Sequence, residues 1–131
     1  MPSHAHDIIT STFQDSSHGR IHFGQVIGLL ASVGVESYHV DYRSGRATYF
    51  LPDGETVDLL FERPEHGIAE TFDADKVREA ILGAQQGKVM YPMFKTLSQQ
   101  AGCVGYTVWI AGRQVSYFGR GDDTHVERFS G

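Results

Sequence analysis

Residues 103–120 read CVGYTVWIAGRQVSYFGR, and their pattern is the clearest indication of the fold. Apolar and polar residues alternate on both sides of a short Ala-Gly pair, which is the pattern of a β-hairpin. We place residues 111–112 in a two-residue turn, because this register gives one face of the hairpin an apolar set of side chains. The cross-strand pairs on that face are then Val108 with Val115 and Tyr106 with Tyr117.

A three-residue loop ending at Gly112 is the alternative for this turn. It would shift the register by one residue, set Val108 against Gln114 and mix apolar with polar side chains on both faces. The sequence therefore favours the two-residue turn. The turn type stays open, because Ala before Gly is not an ideal sequence for either common hairpin turn.

Residues 34–61 predict a three-stranded meander with turn chemistry at two places. With residues 44–45 as a two-residue loop, Val40 opposes Tyr49, and with residues 52–54 as a bulged turn, Tyr49 opposes Val57. One face of the meander is then apolar and the other is mixed. The mixed face is predicted to carry two rows, with His39, Phe50 and Thr56 in the first and Asp41, Thr48 and Asp58 in the second.

Four segments around these strands have helical spacing or helix-end signals. They are residues 8–13, where Ile8, Ile9, Thr12 and Phe13 share a face; 23–30, with a stop at Gly34; 73–87, capped by Asp73; and 92–102, opened by Pro92. A loop around Pro64 and His66 follows the meander. The predicted fold class is α+β, a largely antiparallel sheet made of the meander and the C-terminal hairpin, with helices packed on one face.

Composition and charge fit one globular domain that does not bind polyanions. The chain has 131 residues, 40% of them hydrophobic, and a formal charge of −5. We predict a single domain over 1–131, with 1–19 as a loosely attached N-terminal segment. The acidic charge argues against binding to nucleic acid or anionic membranes, which requires clustered Lys and Arg. A lone cysteine, no membrane-length apolar run and no signal peptide indicate the cytoplasm.

Three stretches resemble a known family: GVESYHVDY at 34–42, AGCVGYTVWIAGRQVSYFGRG at 101–121 and HVERF at 125–129. They are similar to the YbcV-like family of uncharacterised bacterial proteins, some of which carry the label phage envelope protein. The resemblance covers residues 20–131 and implies a small α+β bacterial domain, with no established reaction or cofactor. The acidic charge and the lack of a membrane segment give the envelope label little weight.

Two groups of ionisable residues are candidate catalytic or metal-ligating residues. His39 and Asp41 point to one face of a strand, and Asp58 projects from the predicted row of Asp41 two strands away. Such a face could bind a divalent metal or perform acid/base chemistry, although a solvated sheet face is the interpretation we favour. His125 and Glu127 repeat the His-x-acid pattern near the C-terminus, where a tail held by polar residues is the simpler interpretation.

Other candidates concern binding. Arg120 offers a cation for a carboxylate or phosphate. The tyrosines on the predicted apolar face suit either a ligand pocket or the core, and strand alternation favours the core; they are Tyr38, Tyr49, Tyr106 and Tyr117. Cys103 is interpreted as a small strand residue rather than a nucleophile.

Three aromatic side chains, Phe50, Trp109 and Phe118, fall on the face away from the predicted core. They require a second cover, a ligand or a partner. We therefore predict a binding or self-association module, with a homodimer formed through this face; cover by the N-terminal helix within one chain is the competing explanation. The alternative function is a small metal-assisted or acid/base enzyme that uses the His/Asp cluster. We expect no cofactor and no tightly bound metal, because no phosphate loop, catalytic triad or zinc-spaced cluster occurs in the sequence.

Overall fold

The computed structural model describes residues 4–62 and 67–129. The loop predicted around Pro64 and His66 lies outside the described residues, as do residues 1–3 and 130–131. Within the described ranges the chain forms helices and strands in the following order: α1 (His4–Ser17), α2 (Phe23–Ser32), β1 (Ser37–Asp41), β2 (Arg46–Phe50), β3 (Thr56–Leu60), α3 (Ala74–Gln85), α4 (Tyr91–Gln100), β4 (Gly105–Trp109), β5 (Gln114–Phe118) and β6 (Thr124–Arg128).

The strands form one antiparallel sheet in the order β3-β2-β1-β4-β5-β6. The predicted α+β class is confirmed, and β1 is the strand that joins the meander to the hairpin through β4. Strand β6 was not predicted from the sequence. Its residues are mostly polar, and it pairs with β5 across a turn in which Asp122 is left-handed (φ 70°) and Gly119 donates to the Asp123 carbonyl.

The predicted register of the β4–β5 hairpin is confirmed, because Val108 faces Val115 and Tyr106 faces Tyr117. The turn closes through a hydrogen bond from the Arg113 amide to the Ile110 carbonyl at 3.3 Å. Its left-handed residue is Arg113 (φ 56°), the last residue of the turn. The hairpin therefore has the expected pairing, with the unusual backbone conformation carried by an arginine.

The predicted register of the β1–β2 hairpin is wrong by two residues. Val40 faces Ala47 rather than Tyr49, and the last pair is Asp41 with Arg46. The loop holds four residues, because Gly45 takes a left-handed position (φ 69°) at its end instead of the centre of a two-residue turn. The β2–β3 register is as predicted, with Tyr49 opposite Val57.

The four helices cover one face of the sheet, and the core lies between the two layers. Three predicted helix ends are confirmed by left-handed glycines at Gly34, Gly87 and Gly102, and Asp73 caps α3 by accepting from the Lys76 amide at 3.2 Å. We expected the N-terminal segment to be loosely attached, but it forms α1 and buries Ile9 completely. The amphipathic face of α1 explains this, since its apolar side chains pack into the core.

Candidate functional site

The sheet separates the two groups of predicted ionisable residues. His39, Asp41 and Asp58 lie on the open face, which the helices do not cover. His125 and Glu127 project towards the helices, because they pair directly with the core residues Tyr117 and Val115. The two groups therefore cannot share one site, and an enzyme that uses the His/Asp cluster would have to work from the open face alone.

On the open face, Asp41 does not share a row with Asp58. The corrected register places His39 between Thr48 and Thr107, and Asp58 lies beyond Thr48 in that row. Each group already has a partner: the His39 ring nitrogen Nδ1 lies 2.8 Å from the Thr107 hydroxyl, and Thr48 donates to Asp58 at 2.6 Å. Within residues 4–62 and 67–129, no group of three or more His, Cys, Asp or Glu side chains is placed to hold a metal ion.

The Asp41 carboxylate stabilises its own hairpin turn. It accepts hydrogen bonds from the Arg43 amide at 3.0 Å and from the Ser44 hydroxyl at 3.1 Å. Burial alone would raise the pKa of Asp41, but these hydrogen bonds and the Arg43 guanidinium lower the pKa below its usual value. A carboxylate held in this way supports the turn, and its geometry does not favour metal binding.

The second predicted pair lies at the edge of the covered face. His125 Nε2 is 3.7 Å from Glu127 Oε1, and Arg78 Nε of α3 is 3.6 Å from the same oxygen. These distances fit electrostatic contact but are too long for hydrogen bonds. Arg120 lies apart from them and donates to the Ile68 carbonyl at 2.8 Å, so its guanidinium anchors the chain before α3.

The predicted aromatic residues do lie on the open face. Trp109 is 44% exposed and Phe50 is 40% exposed, whereas Phe118 is half-buried beside the His39 ring. Leu60 and Val126, two exposed apolar residues that were not predicted from the sequence, extend this surface on the outer strands. Because α1 packs with the other helices on the opposite face, it does not cover these rings, and the competing explanation of cover by α1 is wrong.

A cavity of about 70 Å³ lies on the covered face, between the sheet and the helices. Of the six tyrosines in the chain, five line this cavity. They are Tyr38, Tyr49, Tyr91, Tyr106 and Tyr117. The rings of Tyr38 and Tyr49 stack at 5.0 Å, and the walls between the tyrosines are mainly aliphatic or phenylalanine side chains. The cavity is thus largely apolar, with hydroxyl groups at several points.

Some of the hydroxyl groups around the cavity are paired within the protein. Tyr106 donates to Tyr91 at 3.0 Å. The sixth tyrosine, Tyr42, lies 2.8 Å from the Ser98 hydroxyl. These bonds fix the rings in place, because a buried hydroxyl with a partner resists reorientation.

Thr12 of α1 has no such partner. The side chain lines the cavity, Thr12 is only 2% exposed, and its hydroxyl makes no hydrogen bond within the described part of the chain. Buried polar groups in folded proteins are nearly always paired, so the Thr12 hydroxyl calls for a partner from outside the fold, either ordered water or a ligand.

Burial keeps the cavity tyrosines in their neutral form. Burial raises the pKa of Tyr91 to about 12 and raises the pKa values of Tyr38, Tyr106 and Tyr117 well above their usual value. Burial also raises the pKa of the Cys103 thiol to about 11. At neutral pH these groups stay protonated, so the tyrosines donate or accept hydrogen bonds and do not act as bases.

For four of the cavity tyrosines the sequence favoured the core over a ligand pocket, and the structure shows them as buried core residues that also line the cavity. Tyr91 and Lys95, which α4 adds to the wall, were not predicted from the sequence. Thr12 was placed on the apolar face of the first helix. A hydroxyl within an apolar stripe is the signal that could have marked it as a cavity residue.

Comparison with known proteins gives the chain a family. A family model described as protein of unknown function (DUF1398) matches residues 11–127. The chain belongs to this family. The match begins inside α1, whereas we expected the N-terminal segment to lie outside the resemblance. No curated protein matches the chain.

The DUF1398 family assignment carries no reaction, and the YbcV-like relationship and the bacterial origin remain predictions. In the part of the chain that the structure describes, no helix has the length and apolar character needed to cross a membrane.

Proposed function

We propose that this protein is a binding module that holds a small organic molecule in the tyrosine-lined cavity. The observation that carries the proposal is Thr12, a residue of the cavity wall whose buried hydroxyl has no hydrogen-bond partner among the described residues. Leaving such a group unpaired costs about 1–3 kcal/mol, and a ligand with a polar group can recover much of that free energy. The surrounding rings supply apolar contact for the rest of the molecule.

The size of the cavity restricts the ligand. About 70 Å³ is room for several water molecules, since one water needs roughly 10–15 Å³. A closed protein cavity that holds benzene measures about 150 Å³, so a ring ligand would occupy this cavity in part and extend through its opening to solvent. A single ring with one hydroxyl combines the two chemistries that the walls provide. Phenol and benzyl alcohol are therefore suitable probes.

The test compares two threonines of α1 that differ in their hydrogen bonding. Thr12 has no partner in the described structure, whereas the Thr10 hydroxyl donates to the His6 carbonyl at 2.9 Å. NMR titration with phenol should show binding that shifts resonances of the cavity tyrosines. Thr12→Val should weaken binding by about threefold to tenfold, the equivalent of one hydrogen bond, and Thr10→Val should leave it unchanged.

Two outcomes would contradict the proposal. The first is the absence of binding by both phenol and benzyl alcohol at millimolar concentration. The second is binding that moves resonances of the open face instead of those of the cavity. A cavity filled only with ordered water would give the first outcome.

Self-association through the open sheet face is a second candidate function. The exposed apolar side chains on that face support it: Phe50, Leu60, Trp109 and Val126. Burying them against a second copy would remove apolar area from water, and a symmetric dimer lets one surface meet its own copy. The six-stranded face is large enough for a small interface, because strands about 4.8 Å apart give it a width near 24 Å.

Light scattering over a dilution series tests this second candidate. The wild-type chain should dimerise, and the double variant Trp109→Ser, Phe118→Ser should shift the equilibrium to the monomer. Gln114→Ser on the same face is the matched control, because it alters the face without removing a ring. A folded wild-type chain that stays monomeric at high concentration rules out the interface.

A further inference from the structure

The cavity wall has an uneven charge. Of the described residues that line it, Lys95 is the only one with a charged side chain, and no carboxylate is among them. This distribution contrasts with the whole chain, whose formal charge is −5. An anionic group entering the cavity would therefore meet a cation and no acid.

The Lys95 ammonium is held at the wall by weak contacts. Its Nζ lies 4.3 Å from the centre of the Phe61 ring, and it donates to the Glu62 carbonyl over a long 3.4 Å. Phe61 itself also lines the cavity. Lys95 forms no ion pair with a carboxylate of the described residues. The Glu62 carboxylate affects the Lys95 ammonium only through longer-range electrostatic attraction.

Partial burial works against the charged form of Lys95. Desolvation lowers the pKa of its ammonium, and the charge of Glu62 opposes that shift. A half-buried cation with only a ring and one long hydrogen bond is incompletely compensated. A ligand carboxylate would compensate it through a charge-assisted hydrogen bond, which is stronger than a bond between neutral groups.

We propose that the ligand of the cavity is a small carboxylate whose body is a single ring or a short apolar chain. Its carboxylate contacts the Lys95 ammonium and its body lies among the tyrosine rings. Thr12, whose buried hydroxyl has no partner among the described residues, lies in the same wall. This inference rests on the proposed binding function and specifies its ligand class.

Benzoate and benzyl alcohol test the charge requirement, because they share the ring and differ in the ionised group. Binding to the full chain is measured by NMR titration at pH 7 and low salt. Benzoate should bind about tenfold more tightly than benzyl alcohol, and added salt should reduce the difference. Lys95→Gln should bring benzoate to the level of benzyl alcohol, whereas Lys95→Arg should keep most of the preference.

Lys88→Gln is the matched control, since Lys88 is an exposed lysine between α3 and α4 that does not line the cavity. It should leave both affinities unchanged, and unfolding curves should show that each variant is folded. Equal binding of the two probes, or a benzoate preference that survives in Lys95→Gln, overturns the ligand class but keeps the binding function. Binding of neither probe overturns both proposals.

Discussion

The two faces of the sheet come from the same strands but satisfy their polar groups differently. On the open face, polar side chains are paired across strands, as in the contact of Thr48 with Asp58 and that of Trp109 Nε1 with the Ser116 hydroxyl at 3.3 Å. On the covered face, where water has little access, the Thr12 hydroxyl has no partner among the described residues. A buried polar group without a partner in the fold calls for one from outside it, either ordered water or a ligand, whereas paired groups in solvent are ordinary surface.

The largest expected effect compares one ring from each face of β4. Tyr106 is 5% exposed and contacts the rings of Tyr42, Phe94 and Tyr117, whereas Trp109 is 44% exposed. Tyr106→Ala should lower the free energy of unfolding by about 3–5 kcal/mol, because it leaves a cavity in the core. Trp109→Ala should lower it by less than about 1.5 kcal/mol, because much of its ring already contacts water.

Urea unfolding followed by far-UV circular dichroism measures both variants. Tryptophan fluorescence cannot follow the unfolding of the Trp109→Ala variant, because Trp109 is the only tryptophan of the chain. Measurements at low protein concentration separate folding from self-association. If both variants lost the same free energy of unfolding, the two faces would contribute similarly to stability. The expected difference between a ring on the covered face and a ring on the open face would then be wrong.

A smaller effect compares a hydroxyl from each face. The Thr107 hydroxyl is paired with His39 Nδ1 at 2.8 Å, and the Thr12 hydroxyl has no partner in the described structure. Thr107→Val should therefore destabilise the fold by about 1 kcal/mol, since it removes a hydrogen bond and leaves the imidazole without its partner. Thr12→Val should stabilise the ligand-free protein by up to about 1 kcal/mol, since it removes an unsatisfied group.

The informative result is that the same Thr→Val change lowers the free energy of unfolding at Thr107 and raises it at Thr12. Both variants are measured by urea unfolding in buffer without added ligand. If Thr12→Val destabilised the protein as much as Thr107→Val, the Thr12 hydroxyl would have a partner in solution, such as an ordered water. The proposal that it serves a ligand would then lose its main support.

The two predicted hairpins show how far turn sequences determine register. Both loops hold four residues between the last paired positions, and in both the fourth loop residue is left-handed, Gly45 in one and Arg113 in the other. We expected each glycine at the second position of a two-residue turn. This placement predicts the observed register for the hairpin that contains Gly112. For the hairpin that contains Gly45 it predicts a register that is wrong by two residues. Because an arginine can adopt the conformation usually assigned to glycine, glycine alone does not fix a register.

The candidate site was predictable on the sheet side and not on the helix side. Strand alternation placed Tyr106 and Tyr117 together, because the period of a strand fixes which face each residue occupies. Thr12 and Lys95 come from α1 and α4, and helical periodicity indicates the buried side of a helix but not what it packs against. The missing hydrogen bond of Thr12 is a tertiary property, so no local pattern could reveal it.

The smallest expected effect concerns His39, which lies on the open face yet is half-buried. Burial is the largest effect on His39 and lowers the pKa of its imidazole. The negative charge of Asp41 raises this pKa, and the positive charge of Arg43 lowers it. The folded protein therefore favours the neutral imidazole, whereas a histidine in the unfolded chain has a pKa of about 6.5. The stabilisation from this preference is complete above that value and is lost as the pH falls through the lowered pKa of the folded state.

His39→Gln should consequently reduce the loss of unfolding free energy between pH 7 and pH 5, because it removes a group that takes up its proton more readily in the unfolded chain. Urea unfolding at several pH values measures the change, and NMR titration of the His39 ring determines its pKa directly. His4→Gln, at the exposed start of α1, controls for the loss of an imidazole away from the sheet. A His39 pKa above about 6.5, or pH profiles of wild type and His39→Gln that run parallel, would show that the open face does not hold its histidine as a neutral partner of Thr107. The two faces would then differ less in their electrostatics than their hydrogen bonds indicate.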